Sequence, residues 1–446
     1  MTSATPDDPP LSSLVEAEVA AAMATSTQYR RLLLAFSGGM DSTVLFDVLR
    51  QLRWPLRAVH VDHGLQPQAA PAWRRHVQQQ CTEWGVALSL CDIDGPPPQG
   101  ESVEAWAREQ RYRALAKVRE PDEWLVSAQH QTDQVETVLL QLVRGAGPAG
   151  LAGMPVVGRL ASMPILRPLL SVPVSRIHHY AVSQALSWFE DPSNAELAMD
   201  RNYLRHSVLP LLRRRWPGIE QTVARAAGWQ GDGLQLQQAV AAADLRKVTR
   251  SRGVLRCAPI VALDATRQAN LLRFALRAMA LPVPEATRLQ ALCRLIASAA
   301  PRGEVCWPGA VMLRYRDDLH LLSHLPSQPP DDWQQPLNSD SPIELPAALG
   351  VLRVWFESDA PLVVRFRRRS ERIGLAAGAG HTALAKWYQQ QGIPPWERQR
   401  LPLIAHADTV DQSERQEPVL TVGTYISEAG RMAGIARIEW DRQPHP

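Results

Sequence analysis

The chain has 446 residues, enough for two or three domains that each bury their own core. Its hydrophobic fraction of 45% and charged fraction of 21% are those of an ordinary soluble globular protein, and a net charge of +3 is too small to demand a nucleic-acid partner. No window approaches the roughly eighteen uninterrupted apolar residues of a membrane span. The start of the chain, residues 1–8, is polar and acidic, and the scattered cysteines (Cys81, Cys91, Cys257, Cys293, Cys306) form no Cys-x-x-Cys pair. The expectation is a cytoplasmic protein with reduced thiols, no membrane partner, and neither a zinc ribbon nor a dithiol centre.

After an N-terminal extension (1–25) that holds a helix-like stretch at 14–23, apolar runs and amphipathic segments alternate. Residues 32–36, 56–61, 86–91 and 123–128 read as strands, and 43–49, 72–84, 101–118 and 133–143 as the helices that follow them. This order calls for an α/β fold, a doubly wound parallel sheet, over residues 26–215, with ligands at the carboxyl ends of the strands. Residues 216–324 are expected to form a helical middle domain, with helices at 220–248, 265–279 and 284–296 and a strand-like end at 306–322. The proline-rich stretch 325–345 reads as a linker. Residues 346–446 read as a small mixed α+β domain, with strands near 351–356 and 363–367 and a helix at 382–391.

The most informative stretch is Ser37-Gly38-Gly39-Met40-Asp41-Ser42, set between the first strand and its helix. Backbone N–H groups and the positive end of a helix dipole converge there, and glycine lets a phosphate approach the backbone. The Gly-Lys-Ser/Thr ending of a Walker A loop is missing. The stretch resembles instead the SGGxDS loop of PP-loop ATP pyrophosphatases, which cleave ATP between its α and β phosphates.

Further blocks follow in order: His60-Val61-Asp62-His63-Gly64-Leu65, Ala107-Arg108-Glu109-Gln110-Arg111-Tyr112, and Asp133-Gln134-Val135-Glu136-Thr137. Next come Arg144-Gly145-Ala146-Gly147-Pro148-Ala149-Gly150-Leu151, Arg167-Pro168-Leu169-Leu170, Asp191-Pro192-Ser193-Asn194, Arg201-Asn202-Tyr203-Leu204-Arg205 and Leu209-Pro210-Leu211-Leu212. Together they resemble the bacterial tRNA(Ile)-lysidine synthetases, closely over the catalytic half and loosely beyond it, where Gly392-Ile393-Pro394-Pro395-Trp396-Glu397-Arg398 looks like the family's end domain. One position departs: the family usually carries two adjacent aspartates before the glutamine of DQxET, and here the first is Thr132.

The resemblance implies that ATP adenylates the wobble cytidine of a CAU-anticodon isoleucine tRNA, and that free lysine then displaces AMP to form lysidine. ATP and magnesium would be bound by Ser37, Gly38, Gly39, Met40, Asp41 and Ser42, with His60 and His63 on adenine or ribose and Asp41 and Asp133 on the metal. Asp133 and Glu136, three apart on one helix face, can point at one ligand. They are assigned to the lysine amino groups, Arg108 to its carboxylate, and Asp41 joins these three as catalytic. The plainer readings are a capping Asp41, an acidic first turn that complements the helix dipole, and a surface salt bridge for Arg108. Arg201 and Arg205, four apart beside Asn202, read as a phosphate clamp on tRNA or as a bridge to Glu190 or Asp191. Arg365, Arg367 and Arg368 form a second basic cluster for tRNA, with a solvated face as the alternative. His178-His179 reads as helix surface and Trp396 as a core anchor.

Two other functions use the same loop. A PP-loop tRNA thiolase needs reactive cysteines beside the ATP site, and an RNA-binding protein with a vestigial ATP site would release no pyrophosphate. Monomer and homodimer are both compatible with the residues.

Overall fold

Three consecutive leucines in β1 (Arg31–Ala35) explain why the sheet is covered on both faces. Leu32 and Leu34 pack into one core with Val15, Val19, Val44, Val48, Val77 and Ile177, whereas Leu33 points into another with Val59, Leu115, Leu125 and Ile165. The structure, a computed structural model, describes residues 9–62, 64, 68–93, 95, 103–160, 163–190, 199–324, 327–358, 360–368, 371–374, 381–407 and 419–441. His63, the 191–194 block and Arg369 lie outside these residues. The chain divides into two compact units, Met1–Gln237 and Gln238–Pro446.

In the first unit, α1 (Leu11–Ala24) precedes β1, α2 (Met40–Gln51), β2 (Leu56–Asp62), α3 (Ala70–Glu83), β3 (Leu88–Asp92), α4 (Val103–Val118), β4 (Glu123–Val126) and α5 (Gln131–Val143). Then come α6 (Pro148–Leu151), β5 (Val157–Leu160), β6 (Met163–Leu166), α7 (Val174–Ser183), α8 (Asp200–Tyr203), a π-helical turn (Leu204–Val208), α9 (Leu209–Arg215) and the first part of α10 (Ile219–Val248), whose last turns belong to the second unit. The sheet order is β3-β2-β1-β4-β6-β5. All pairings are parallel except β5 with β6, so the four expected strands are extended by a hairpin that closes one edge. The connections leave β1 toward β2 on one side and reach β4 on the other. This reversal opens a crevice between the carboxyl ends of β1 and β4.

The second unit departs from the expected helical middle segment. Its helices (Cys257–Val261, Ala265–Ala278, Ala286–Ala297) pack Leu271, Leu276 and Leu292 against Met312 and Leu319 of an antiparallel sheet. That sheet runs Thr249–Ser251, Val254–Arg256, Asp318–Leu322, Ala310–Tyr315, Arg302–Trp307. The stretch expected as a linker is also drawn into structure. Gln334–Pro336 pairs with Leu362–Arg365, and Ile343–Leu345 pairs with Gly350–Phe356. Pro336 lies on an edge strand, where its missing N–H costs no ladder bond, and this is why the proline-rich composition misled.

Candidate active site

The turn after β1 is shaped by packing. Gly38 has φ +81°, and a Cβ there would lie 2.8 Å from Val77 Cγ2 and 3.0 Å from Trp73 Nε1. Trp73 Nε1 donates to the Ser37 carbonyl, Phe189 N donates to the Gly38 carbonyl at 2.9 Å, and the two rings stack with centroids 5.0 Å apart. Gly39 is the N-cap of α2, so Met40, Asp41 and Ser42 belong to its first turn. Ser42 Oγ donates to the Gly39 carbonyl and lies 3.0 Å from Ser37 Oγ, which accepts from Gly39 N at 3.3 Å. The two serines thus brace the turn with their hydroxyls. Asp41 does not cap the helix: its Oδ1 is buried without a hydrogen-bond partner. Its Oδ2 faces His130 Nε2 at 3.5 Å.

His130 comes from the end of β4 and is 3% exposed. It caps α5: its Nδ1 accepts from Thr132 N at 3.2 Å, while its own N–H donates to Asp133 Oδ2 at 3.0 Å. With Nδ1 accepting, the ring's proton sits on Nε2, toward Asp41 and Asp133. Burial opposes a charge on this ring, but the Asp41 and Asp133 carboxylates outweigh it and hold its pKa above 6.5. Asp133 and Glu136 both accept hydrogen bonds from Arg205. Its Nη2 donates to Asp133 Oδ1 at 2.8 Å and its Nε to Glu136 Oε1 at 2.6 Å. Glu136 is fully buried, its Oε2 has no hydrogen-bond partner, and burial raises its pKa above 4.5 although Arg205 pulls the other way.

The remaining motif residues scaffold this end of α5. Arg167 donates from Nε to Gln129 Oε1 at 2.6 Å and from Nη1 to the Pro155 carbonyl, which fixes the residue before His130. The Gln134 amide exchanges hydrogen bonds of 2.8 and 2.9 Å with Met154 N and O. It fills the space a Cβ on Gly153 would need. The DQxET and glycine-turn blocks are therefore one structural unit.

Several expectations change. Arg205 does not stand free with Arg201 as a phosphate clamp, because the π-helical turn after Tyr203 breaks the four-residue spacing and Arg205 faces the α5 carboxylates. Arg108 lies exposed on α4, its guanidinium 5.0 Å from the Tyr112 ring centroid. His60 is buried, bonded through Nδ1 to the Phe36 carbonyl at 3.0 Å, and burial lowers its pKa. Asn202 is buried. Arg365 is buried in an ion pair with Glu371, so its charge is spent inside the fold; Arg367 lies 5.7 Å from the Tyr388 ring and Arg368 is exposed. Trp396 packs edge-on against Tyr315 and His320, and His178 and His179 are exposed on α7. Trp73 and Phe189 were not legible as site residues, and Arg205 was read as a tRNA contact without its partners Asp133 and Glu136. His130 carried a signal, as a histidine at a strand's carboxyl end just before DQxET.

A braced glycine turn and a carboxylate-lined helix end at the switch point of a parallel sheet define a PP-loop ATPase domain. The family model described as the PP-loop domain matches residues 11–212, that of the TilS substrate binding domain residues 255–320, and that of the TilS substrate C-terminal domain residues 362–410. Three curated relatives, each named tRNA(Ile)-lysidine synthase, match most of the chain. The one from Alkalilimnicola ehrlichii is 41% identical, with 84% of this chain and 87% of the relative covered. The Xanthomonas campestris relative is 38% identical (94% and 97%), and that of Methylococcus capsulatus 36% identical (83% and 88%). The chain belongs to the tRNA(Ile)-lysidine synthase family, ATP-dependent ligases that modify tRNA. Among the described residues no helix is long and apolar enough to cross a membrane.

Proposed function

We propose that this enzyme, in the cytoplasm, ligates free lysine to C2 of the wobble cytidine of the CAU-anticodon isoleucine tRNA, through an adenylated cytidine. The observation that carries this reading is the meeting of Asp41, His130, Asp133, Glu136 and Arg205 beside the phosphate-binding turn. The turn's N–H groups and the α2 dipole neutralise the ATP phosphates as the cytidine oxygen attacks the α phosphate. Magnesium fits the donors present. The unpartnered Asp41 Oδ1 and the Asp133 carboxylate are the hard oxygen ligands it takes when phosphates and water complete its shell. When bound, it would add positive charge against the phosphates.

In the second step the amine must be neutral, and only about one lysine side chain in a thousand is neutral at pH 7. Asp133 and Glu136 would hold the ammonium, sharing their oxygens with Arg205, and Glu136 Oε2, which has no hydrogen-bond partner and whose proton affinity burial raises, would take up its proton. Arg108, exposed on α4, is assigned to the lysine carboxylate. Arg201, Arg367 and Arg368 are assigned to tRNA phosphates.

The thiolase alternative is disfavoured by the cysteines of the first unit. Burial pushes the Cys81 thiol up to about 12 and raises that of Cys91, the reverse of what a persulfide nucleophile needs. The test is pyrophosphate release on addition of ATP and the CAU-anticodon tRNA. Release that depends on tRNA and is lost in Asp41→Ala supports the reading; release with no tRNA requirement contradicts it.

A further inference from the structure

A carboxylate from outside the motifs reaches the same helix end. Thr132, the second residue of α5, is 3% exposed, and its Oγ1 donates to Glu220 Oε1 at 2.7 Å. Arg213 Nη2, from the last turn of α9, donates to the same oxygen at 2.7 Å. Glu220 stands in the first turn of α10 with its side chain only 19% exposed. One carboxylate oxygen thus ties the start of α5 to α9 and α10. Thr132 also donates its backbone N–H to His130 Nδ1, so the residue that orients the imidazole is the one Glu220 holds. A shift of this turn moves His130, Asp133 and Glu136 together.

We propose that Glu220 is a positioning residue for lysine transfer. Anchored by Arg213, it fixes the first turn of α5 through Thr132 and brings a negative charge to the positive end of that helix. In this chain the charge is delivered from α10, whereas position 132 itself carries a neutral hydroxyl. The site therefore accepts one carboxylate, from position 132 or from position 220, but not both. This inference rests on the lysine-site reading of α5 given above.

The test reads steady-state lysine transfer to the tRNA, with thermal melts to confirm folding. Thr132→Val and Glu220→Ala should each lower kcat/KM for lysine by about tenfold, with a smaller change in KM for ATP because Asp41 and the glycine turn stay in place, and the double variant should be no worse than either single one. Thr132→Ser, which keeps the donor, should lose less than Thr132→Val. Thr132→Asp, which sets two carboxylates against each other, should lose at least as much as Thr132→Val, and adding Glu220→Ala should restore activity to within about threefold of wild type. Losses that multiply in the Val/Ala double variant, or a Thr132→Asp variant that Glu220→Ala does not rescue, overturn the proposal. So does an equal rise in KM for ATP and lysine, which marks a general structural role. A wild-type protein that transfers no lysine overturns the underlying reading as well, so the two failures are distinct.

Discussion

Replacing Arg205 by methionine removes the guanidinium bonded to both Asp133 and Glu136 while keeping most of its apolar stem. Glu136 is then a fully buried carboxylate with neither oxygen in its present bonds. Breaking a fully buried ion pair costs about 3–5 kcal/mol, and because the Arg205 side chain is 33% exposed solvent screening reduces this to about 2–3 kcal/mol. In a unit of this size that lowers the melting temperature by roughly 5–10 °C. The cost should depend on pH in a definite sense. Burial already holds Glu136 above its ordinary 4.5, and without Arg205 the carboxyl moves further up. The native state then takes up a proton where the unfolded chain has already lost its own, so the variant's deficit shrinks as pH falls toward that native value and is full above it. Thermal melts at about pH 5.5 and about pH 8 should show the smaller loss at the lower pH, and adding Glu136→Gln should recover most of it. A loss of equal size at both values, with no recovery in the double variant, would refute the ion-pair account.

Gly38→Ala forces a side chain into a left-handed backbone position against Val77 and Trp73, and should cost about 1–3 kcal/mol as well as ATP binding. Gly39→Ala meets nothing closer than 3.4 Å and should melt like wild type, as differential scanning fluorimetry will show; any loss of ATP affinity there reports phosphate approach. Arg365→Met strands a buried Glu371 and should destabilise the second unit by about 2–4 kcal/mol while the salt slope of tRNA binding stays unchanged. Arg368→Ala should leave the melt unchanged and reduce that slope by about one, in filter-binding titrations against salt. Alkylation at about pH 8 should modify the exposed Cys306 first and leave Cys81 intact, since a thiol at about 12 is ionised only to about one part in ten thousand.

The parallel core of the first unit was legible because its strands are continuous apolar runs and its helices follow at regular spacing. The β5–β6 hairpin was not, because two four-residue strands, one with Pro164 in it, leave no periodic signal. Beyond residue 248 the strands near 306–322, 351–356 and 363–367 were read, but short ones such as Val254–Arg256 and Gln334–Pro336 were not, since Gln334–Pro336 becomes a strand only through its pairing with Leu362–Arg365. At the site, the glycine turn and the Asp133–Glu136 pair were readable from local spacing. The contacts of Arg205 and Glu220 with α5 were not, since each reaches it from 69 to 88 residues away. Spacing along one helix cannot disclose a partner that the fold brings from another. The Arg201–Arg205 pair shows the opposite hazard, in which ideal α-helical spacing was assumed across a π-helical turn.

The central claim is tested most directly by incorporation of labelled lysine into unmodified isoleucine tRNA with a CAU anticodon, with and without ATP and magnesium. The account predicts ATP-dependent label on that tRNA, absent from a transcript whose wobble cytidine is replaced, and lost in both Asp41→Ala and Glu136→Gln. Pyrophosphate release with no lysine on the tRNA would contradict it, leaving an adenylating enzyme with a different nucleophile.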